Sequence, residues 1–295
     1  MHPIAIAFCA DKMMESALHV AMRSALVNLK PGCCPHIYAM VEHFSSADRA
    51  RLARTLDATG RKYDLTYLEP DPDMFASLPA LHGNRSCYFR LLLPELVQED
   101  RLLYLDSDIL IRCDLSPLFE LDMKGSALGA IVGGTAEFTL DKELRLSLDQ
   151  SLTDPAFNSG VLLFDCLMWR RQQLLKECVR FGLEYRNEIR VVDQTILNVL
   201  FATSCIHLPN QYNTAITSRS EHIPSEAVLH YIGSPKPWDL GAASLLPYAK
   251  AWFLELRMTA IPLRRRIPWL TLSTWRRFPK ILGGYRRLAV QRMQG

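Results

Sequence analysis

The stretch Leu102-Leu103-Tyr104-Leu105-Asp106-Ser107-Asp108-Ile109-Leu110-Ile111 sets two carboxylates, two residues apart, between apolar runs. In a continuous strand both would point to one face. Buried together without a cation, they would repel each other at high cost. A divalent cation removes the conflict: hard carboxylate oxygens suit Mn²⁺ or Mg²⁺, and coordination positions remain for phosphate oxygens. The competing reading is a solvated turn after a strand, and the apolar flanks on both sides count against it. Phosphohydrolases that form an aspartyl-phosphate also place D-x-D after an apolar strand. There it usually lies near the N-terminus, followed by Thr or Val, whereas here Ile109-Leu110 follow.

Working outward, short apolar runs alternate with longer amphipathic stretches. Strands are expected at 4–9, 36–41, 63–68, 102–105, 127–132, 160–164, 205–207 and 228–231, and helices at 15–29, 46–59, 88–96, 167–185 and 193–201. Strands separated by helices of this length predict an α/β, Rossmann-like, mostly parallel sheet flanked by helices. Ligands of such sheets bind beyond the carboxyl ends of the strands, so the residues just after each strand are the candidates.

Four further segments stand out on that basis. Cys9-Ala10-Asp11 ends the first strand, where Asp11 can accept a hydrogen bond from a ligand or cap the next turn. Asn158-Ser159-Gly160 precedes an apolar run as a polar turn; Gly permits close backbone approach, and Asn both donates and accepts. Asp193-Gln194 opens a helix, with Asp193 suited to the N-cap and Gln194 not explained by capping. His230, Gly233 and Lys236 follow one another in Leu229-His230-Tyr231-Ile232-Gly233-Ser234-Pro235-Lys236-Pro237. His230 is a candidate neutral metal ligand, and Lys236, between two prolines, a cation suited to a diphosphate.

The net charge of +3 over 295 residues hides a split: residues 257–295 hold ten Lys and Arg and no Asp or Glu, while the rest hold 24 basic and 31 acidic residues. An acidic body argues against general nucleic-acid binding. It divides the chain into a body, 1–256, and a basic tail, 257–295. No apolar run reaches the roughly 18 residues of a membrane-spanning helix. The start, Met1-His2-Pro3, lacks the positive region of a signal peptide. The eight cysteines show no zinc or paired spacing and read as reduced thiols of a cytosolic protein. In the tail, Trp275, Phe278, Leu282 and Tyr285 form one helical stripe, with Arg276, Arg277, Lys280, Arg286 and Arg287 largely off it. Pro279 and Gly283-Gly284 are expected to interrupt that helix. An aromatic stripe beside a basic face suits a helix lying on an anionic membrane; the alternative is a helix packed on the body with a solvated basic face.

Six segments in this order resemble glycosyltransferase family 8. They are Phe8-Cys9-Ala10-Asp11, Tyr88-Phe89-Arg90-Leu91-Leu92-Leu93-Pro94, Tyr104-Leu105-Asp106-Ser107-Asp108, Phe157-Asn158-Ser159-Gly160-Val161-Leu162-Leu163, Asp193-Gln194 and His230-Tyr231-Ile232-Gly233-Ser234-Pro235-Lys236-Pro237-Trp238. Each is weak alone; together they cover about residues 4 to 240. The resemblance implies a GT-A fold, a UDP-sugar donor, a Mn²⁺ ion with Mg²⁺ as substitute, and retention of anomeric configuration. By position, Asp106, Asp108 and His230 correspond to metal ligands. Cys9, Ala10, Asp11, Arg90, Asp106, Ser107, Asn158, Gly233 and Lys236 correspond to nucleotide-sugar contacts, and Gln194 and Asp193 to the catalytic pair. The two departures from the family pattern are Lys12-Met13-Met14 after Asp11 and Gly133-Gly134-Thr135 after the fifth expected strand.

The leading expectation is a UDP-hexose transferase acting on a lipid-linked oligosaccharide such as lipopolysaccharide core, at the inner face of a bacterial cytoplasmic membrane. The alternatives are a D-x-D phosphohydrolase and a non-catalytic nucleotide-sugar-binding module. An amide is a poor nucleophile, so a front-face reaction is favoured over double displacement through Gln194.

Overall fold

The structure, a computed structural model, describes residues 3–69, 71, 73–80, 85–216, 224–239, 241–245, 249–262 and 272–293. Its strands are β1 Ala5–Ala10, β2 His36–Val41, β3 Asp64–Leu68, β4 Arg101–Leu105, β5 Ile109–Ile111, β6 Leu128–Thr135, β7 Pro155–Asp165, β8 Ile206–His207, β9 Thr214–Ala215 and β10 Val228–His230. Its helices are α1 Glu15–Asn28, α2 Ser46–Asp57, α3 Phe89–Leu96, α4 Lys142–Ser147, α5 Cys166–Arg171, α6 Leu174–Glu184, α7 Val192–Phe201, α8 Ala242–Leu245, α9 Ala249–Arg257 and α10 Leu272–Met293.

Seven strands form one sheet in the order β3-β2-β1-β4-β7-β6-β8. Every neighbouring pair is parallel except the two made by β7, which runs against β4 and β6. The expectation of a mostly parallel sheet therefore holds, with one reversed strand. A small second sheet, β5-β10-β9, stands beside it.

Both faces of the main sheet are covered, as the unbroken apolar character of its central strands requires. In β1, Ala5, Ala7 and Cys9 enter one core while Ile6, Phe8 and Ala10 enter the other. In β4, Leu102 and Tyr104 divide from Leu103 and Leu105 in the same way. On α1, buried Leu18, Ala21, Met22 and Ala25 recur at the helical period, which lays that helix on the sheet. α2 is started by a reciprocal cap: Asp48 N–H donates to Ser45 Oγ, and Ser45 N–H to the Asp48 carboxylate.

Three differences from the expected elements have local causes. The single helix foreseen over 167–185 is two, α5 and α6, because Gln173 takes the left-handed conformation, φ 54°. Asn158-Ser159-Gly160 is not a turn before a strand but part of β7. It lies between the two stretches of β7 that pair with β6, Pro155 to Phe157 and Leu162 to Phe164, where the β6 register slips; the second stretch also pairs with β4. Finally, α10 runs through Pro279 and Gly283-Gly284 without a break. Ile281 on it is 2% exposed, while Phe278, Leu282, Arg286 and Arg287 are exposed. Trp269 lies outside the described residues, as do the side chains of Trp275, Arg276, Arg277 and Lys280. Among the described residues no helix is long and apolar enough to cross a membrane. The change of composition at Arg257 coincides with the end of α9; beyond it, Ile261 still packs with Trp252 and Leu256 of α9.

Candidate active site

The two carboxylates do not share a strand. β4 ends at Leu105, and Asp106-Ser107-Asp108 carry the chain across to β5 in the second sheet. This turn is tied down rather than solvated. Asp106 N–H donates to the Gly160 carbonyl at 2.8 Å, and the Asp108 carbonyl accepts from Tyr231 N–H at 3.0 Å; Ser107 between them is buried. Because β10 pairs His230 with Ile109, the imidazole arrives beside the carboxylates. Its Nε2 is 3.2 Å from Asp108 Oδ1 and 3.7 Å from Asp106 Oδ2. One ligand atom from each of Asp106, Asp108 and His230 lies within 4.8 Å of the others.

The cluster exists only because residue 160 has no side chain. A Cβ there would stand 2.3 Å from His230 Cε1, 2.7 Å from Asp106 Oδ2 and 2.9 Å from Asn158 Oδ1.

A chain of amides then fixes which nitrogen of His230 faces the carboxylates. Gly160 N–H donates to Asn158 Oδ1 at 3.0 Å, so the Asn158 amide NH₂ points the other way, to Gln194 Oε1 at 3.0 Å. Asn213 Nδ2 donates to the same Asn158 Oδ1 at 3.2 Å, which leaves Asn213 Oδ1 to accept from His230 Nδ1 at 2.9 Å. The protonated nitrogen of a neutral ring is thereby assigned as Nδ1, and the Nε2 lone pair faces two carboxylates. Three acceptors converging on one point fit a divalent cation, and an outer partner orienting the imidazole is a recurring feature of metal-binding histidines.

A second buried network backs the first. Arg90 of α3 donates to the Ser159 carbonyl at 2.6 Å, Ser159 Oγ at 3.1 Å and the Cys87 carbonyl at 2.9 Å. It also pairs with Asp106 Oδ1 at 3.2 Å and Asp193 Oδ2 at 3.1 Å, and lies over the Tyr104 ring. The Tyr104 hydroxyl donates to Asp106 Oδ1 at 2.5 Å. Burial opposes the charge of Arg90, but Asp106 and Asp193 hold its pKa well above the guanidinium range. Asp193 is 2% exposed. Burial pushes its carboxyl up, against the pull of Arg90. Asp193 is also not the cap that its position suggests: α7 begins at Val192, and the carboxylate faces Arg90 and, at 3.1 Å, Ser159 Oγ. Its neighbour Gln194 accepts through Oε1 from Asn158 and from Ser159 N–H at 3.2 Å.

Lys236 closes the other side. Its ammonium reaches Asp108 Oδ2 at 2.6 Å and the Tyr231 carbonyl, after a turn through Gly233. Burial would raise the Asp108 carboxyl, but His230 and Lys236 overcome it and hold the group well below the carboxylate range.

Arg90, Asp106, Asp108, Asn158, Asp193, Gln194, His230 and Lys236 are therefore one connected arrangement. Cys9 and Ala10 end β1, the strand next to β4. The Asp11 carboxylate accepts from Met14 N–H at 3.1 Å, capping the turn Lys12–Met14. Lys12, in the segment that departs from the family pattern, pairs with Asp48 and Glu15. The other departure, Gly133-Gly134-Thr135, completes β6. Three functional neighbours escaped the sequence reading: Tyr104, Ser159 and Asn213. Tyr104 was findable by alternation, being two residues before Asp106 on the same face. Ser159 lay inside a quoted motif, whereas Asn213 carried no signal, an Asn in a polar turn being common.

Fold and site together define an α/β scaffold with a candidate divalent-cation site at the carboxyl end of β4, and comparison with known proteins names the family. The model of glycosyl transferase family 8 matches residues 5–241, and the chain belongs to that family. It is 31% identical over 186 residues to the glycosyltransferase GlyF of Streptococcus pneumoniae, covering 60% of this chain and 44% of that protein. It is 32% identical over 207 residues to the lipopolysaccharide 1,2-glucosyltransferase of Escherichia coli, covering 65% and 60%. The chain thus spans about half the length of these curated relatives. Its structure matches that of galactosyltransferase LgtC in complex with donor and acceptor sugar analogs, with a TM-score of 0.77, 26% identity, and coverage of 89% of this chain and 99% of that one. The α/β architecture is accordingly of the GT-A type.

Proposed function

We propose that this chain moves a hexose, galactose or glucose, from a UDP-sugar to a lipid-linked oligosaccharide such as lipopolysaccharide core, with retention of configuration at the anomeric carbon. The observation that carries the reading is the convergence of Asp106, Asp108 and His230 on one point beside Lys236. Two carboxylates and an imidazole suit Mn²⁺, or Mg²⁺. Such an ion, when bound, supplies Lewis-acid stabilisation of the departing diphosphate. The likeness to a glucosyltransferase and to a galactosyltransferase supports a hexose donor without choosing between the two.

The chain's own residues support a front-face route. The oxygen through which Gln194 would attack already accepts two hydrogen bonds. The Asp193 carboxylate is buried against Arg90 and Ser159. Neither is a free nucleophile. On the front-face route the acceptor oxygen bonds to the anomeric carbon on the side that the bond to UDP leaves, and the acceptor proton passes to a phosphate oxygen of the departing UDP. Gln194 stabilises the positive charge that develops on the sugar, and Lys236 brings a cation to the leaving diphosphate. The acidic body and the exposed basic side chains on α10 support action at the inner face of an anionic membrane.

The test is NMR of the product formed from UDP-galactose or UDP-glucose with truncated lipopolysaccharide core. An α-linked hexose is the expected result. A β-linked product, or no product with any core acceptor, contradicts the reading.

A further inference from the structure

The loop that carries Lys236 is braced on its outer side by the C-terminal helix. Gly284 of α10 is buried, and a Cβ on it would stand 3.1 Å from Pro235 Cδ, 3.1 Å from the Ser234 carbonyl oxygen and 3.2 Å from Pro235 N. Ile281, one turn earlier, is buried, and Tyr285 is half-buried. Burial, together with the carboxylate of Asp239, pushes the Tyr285 phenol up to about 12. Asp239 in turn accepts from Lys236 N–H at 2.7 Å. Among the described residues the Ser234 hydroxyl is buried without a hydrogen-bond partner, so packing rather than that side chain's bonding holds the peptide against the helix. The adjacent Gly283 is different: a Cβ there meets nothing nearer than the Arg287 guanidinium at 3.8 Å. A helix-interior glycine costs helix stability. At 283 the structure shows no steric need for it; at 284 a Cβ would press on the backbone of the loop, which would have to give by a few tenths of an ångström.

We infer that Gly284 is a positioning residue for the diphosphate-binding loop. The backbone of α10, brought close by the missing side chain, sets where Ser234-Pro235 sits and hence where Lys236 stands relative to Asp108. α10 is then part of the donor site and not an appendage to it, and the helix that presents Arg286 and Arg287 to the outside also supports the leaving-group cation from within. This rests on the donor reading above. It goes beyond that reading by adding a residue remote in sequence from every motif. Coupling is reciprocal, so whatever the helix contributes to donor binding, donor binding returns to the helix.

Two neighbouring substitutions test it in the full-length chain, with UDP and Mn²⁺ as the titrated ligand in calorimetry. Gly284→Ala is expected to weaken UDP binding about fivefold and Gly284→Val further, while Gly283→Ala leaves it unchanged. A purely structural role would move the melting temperature but not separate the two alanine variants in affinity. Should the Gly284 variants fail to fold, hydrogen exchange on the wild type decides: UDP with Mn²⁺ is expected to slow exchange over 281–287. Equal affinities of the two alanine variants, or unchanged exchange in that segment on UDP binding, overturn the inference. Failure of the wild type itself to bind UDP would instead overturn the donor reading on which it stands.

Discussion

His230 Nδ1 lies 2.9 Å from Asn213 Oδ1, and this contact turns the other ring nitrogen toward Asp106 and Asp108. Removing such an outer partner typically costs 10- to 100-fold in metal affinity. Asn213→Ala is therefore expected to lower Mn²⁺ affinity by about that factor, read by competition with a fluorescent chelator. Asn213→Asp keeps an acceptor for Nδ1–H and is expected to stay within about threefold of wild type, although it can no longer donate to Asn158. Equal losses in the two variants would show that the imidazole is not held by this contact.

Gly160→Ala tests the space in which the three ligands meet. Its Cβ would overlap the imidazole carbon of His230 and the Asp106 carboxylate. The expected outcome is a destabilisation of about 1–3 kcal/mol in urea denaturation together with loss of measurable Mn²⁺ binding. Wild-type metal affinity in the variant would mean that the cluster is not the metal site.

Gln194→Ala separates the two mechanistic routes. If the amide only stabilises charge, kcat should fall by about 10²–10³ while α-linked product still forms. Complete loss of transfer in a folded variant that binds UDP normally would point to Gln194 as an obligatory nucleophile.

Acid sensitivity has a predictable source away from the site. His19 of α1 is fully buried, and its Nδ1 meets Thr55 Oγ1 of α2 at 2.7 Å. Burial, then the charges of Arg51 and Lys12, lower its pKa from 6.5 to about 3. The unfolded chain binds a proton in that interval while the folded one does not, so the contribution is complete above pH 6.5 and is lost as pH falls toward 3. Its slope is about 1.4 kcal/mol per pH unit. His19→Gln should flatten the stability profile between pH 6 and 4 by that amount, as measured by urea denaturation at a series of pH values. An unchanged slope would place the acid sensitivity elsewhere.

The parts of the fold that were legible in sequence are those where periodicity carries the burial. β1 and β4 alternate their residues between two cores, and α1 repeats its apolar positions at the helical period. The crossing from β4 to β5 was not legible, because Ile109-Leu110-Ile111 continues the apolar run into a different sheet with no turn residue to mark it other than the Asp106-Ser107-Asp108 segment itself. β9 has two residues and no pattern to detect. At the site, the charged members were visible because a carboxylate pair or a lysine between prolines needs explaining. Asn213 was invisible because its role depends on β9 and β10 bringing residues 213 and 230 together. Gly283-Gly284 suggests a helix break in sequence; the place of Gly284 depends on Ser234-Pro235, distant in sequence, packing against it, and no local pattern carries that.

The central claim is that Asp106, Asp108 and His230 hold a divalent cation on which UDP-sugar chemistry depends. Its most direct measurement is UDP release from a panel of UDP-sugars with Mn²⁺ and no acceptor, read as slow background hydrolysis. Release from UDP-galactose or UDP-glucose, abolished by chelator and reduced at least about 100-fold by Asp106→Ala, is the predicted result. A flat response across all donors, affected neither by chelator nor by Asp106→Ala, would contradict it.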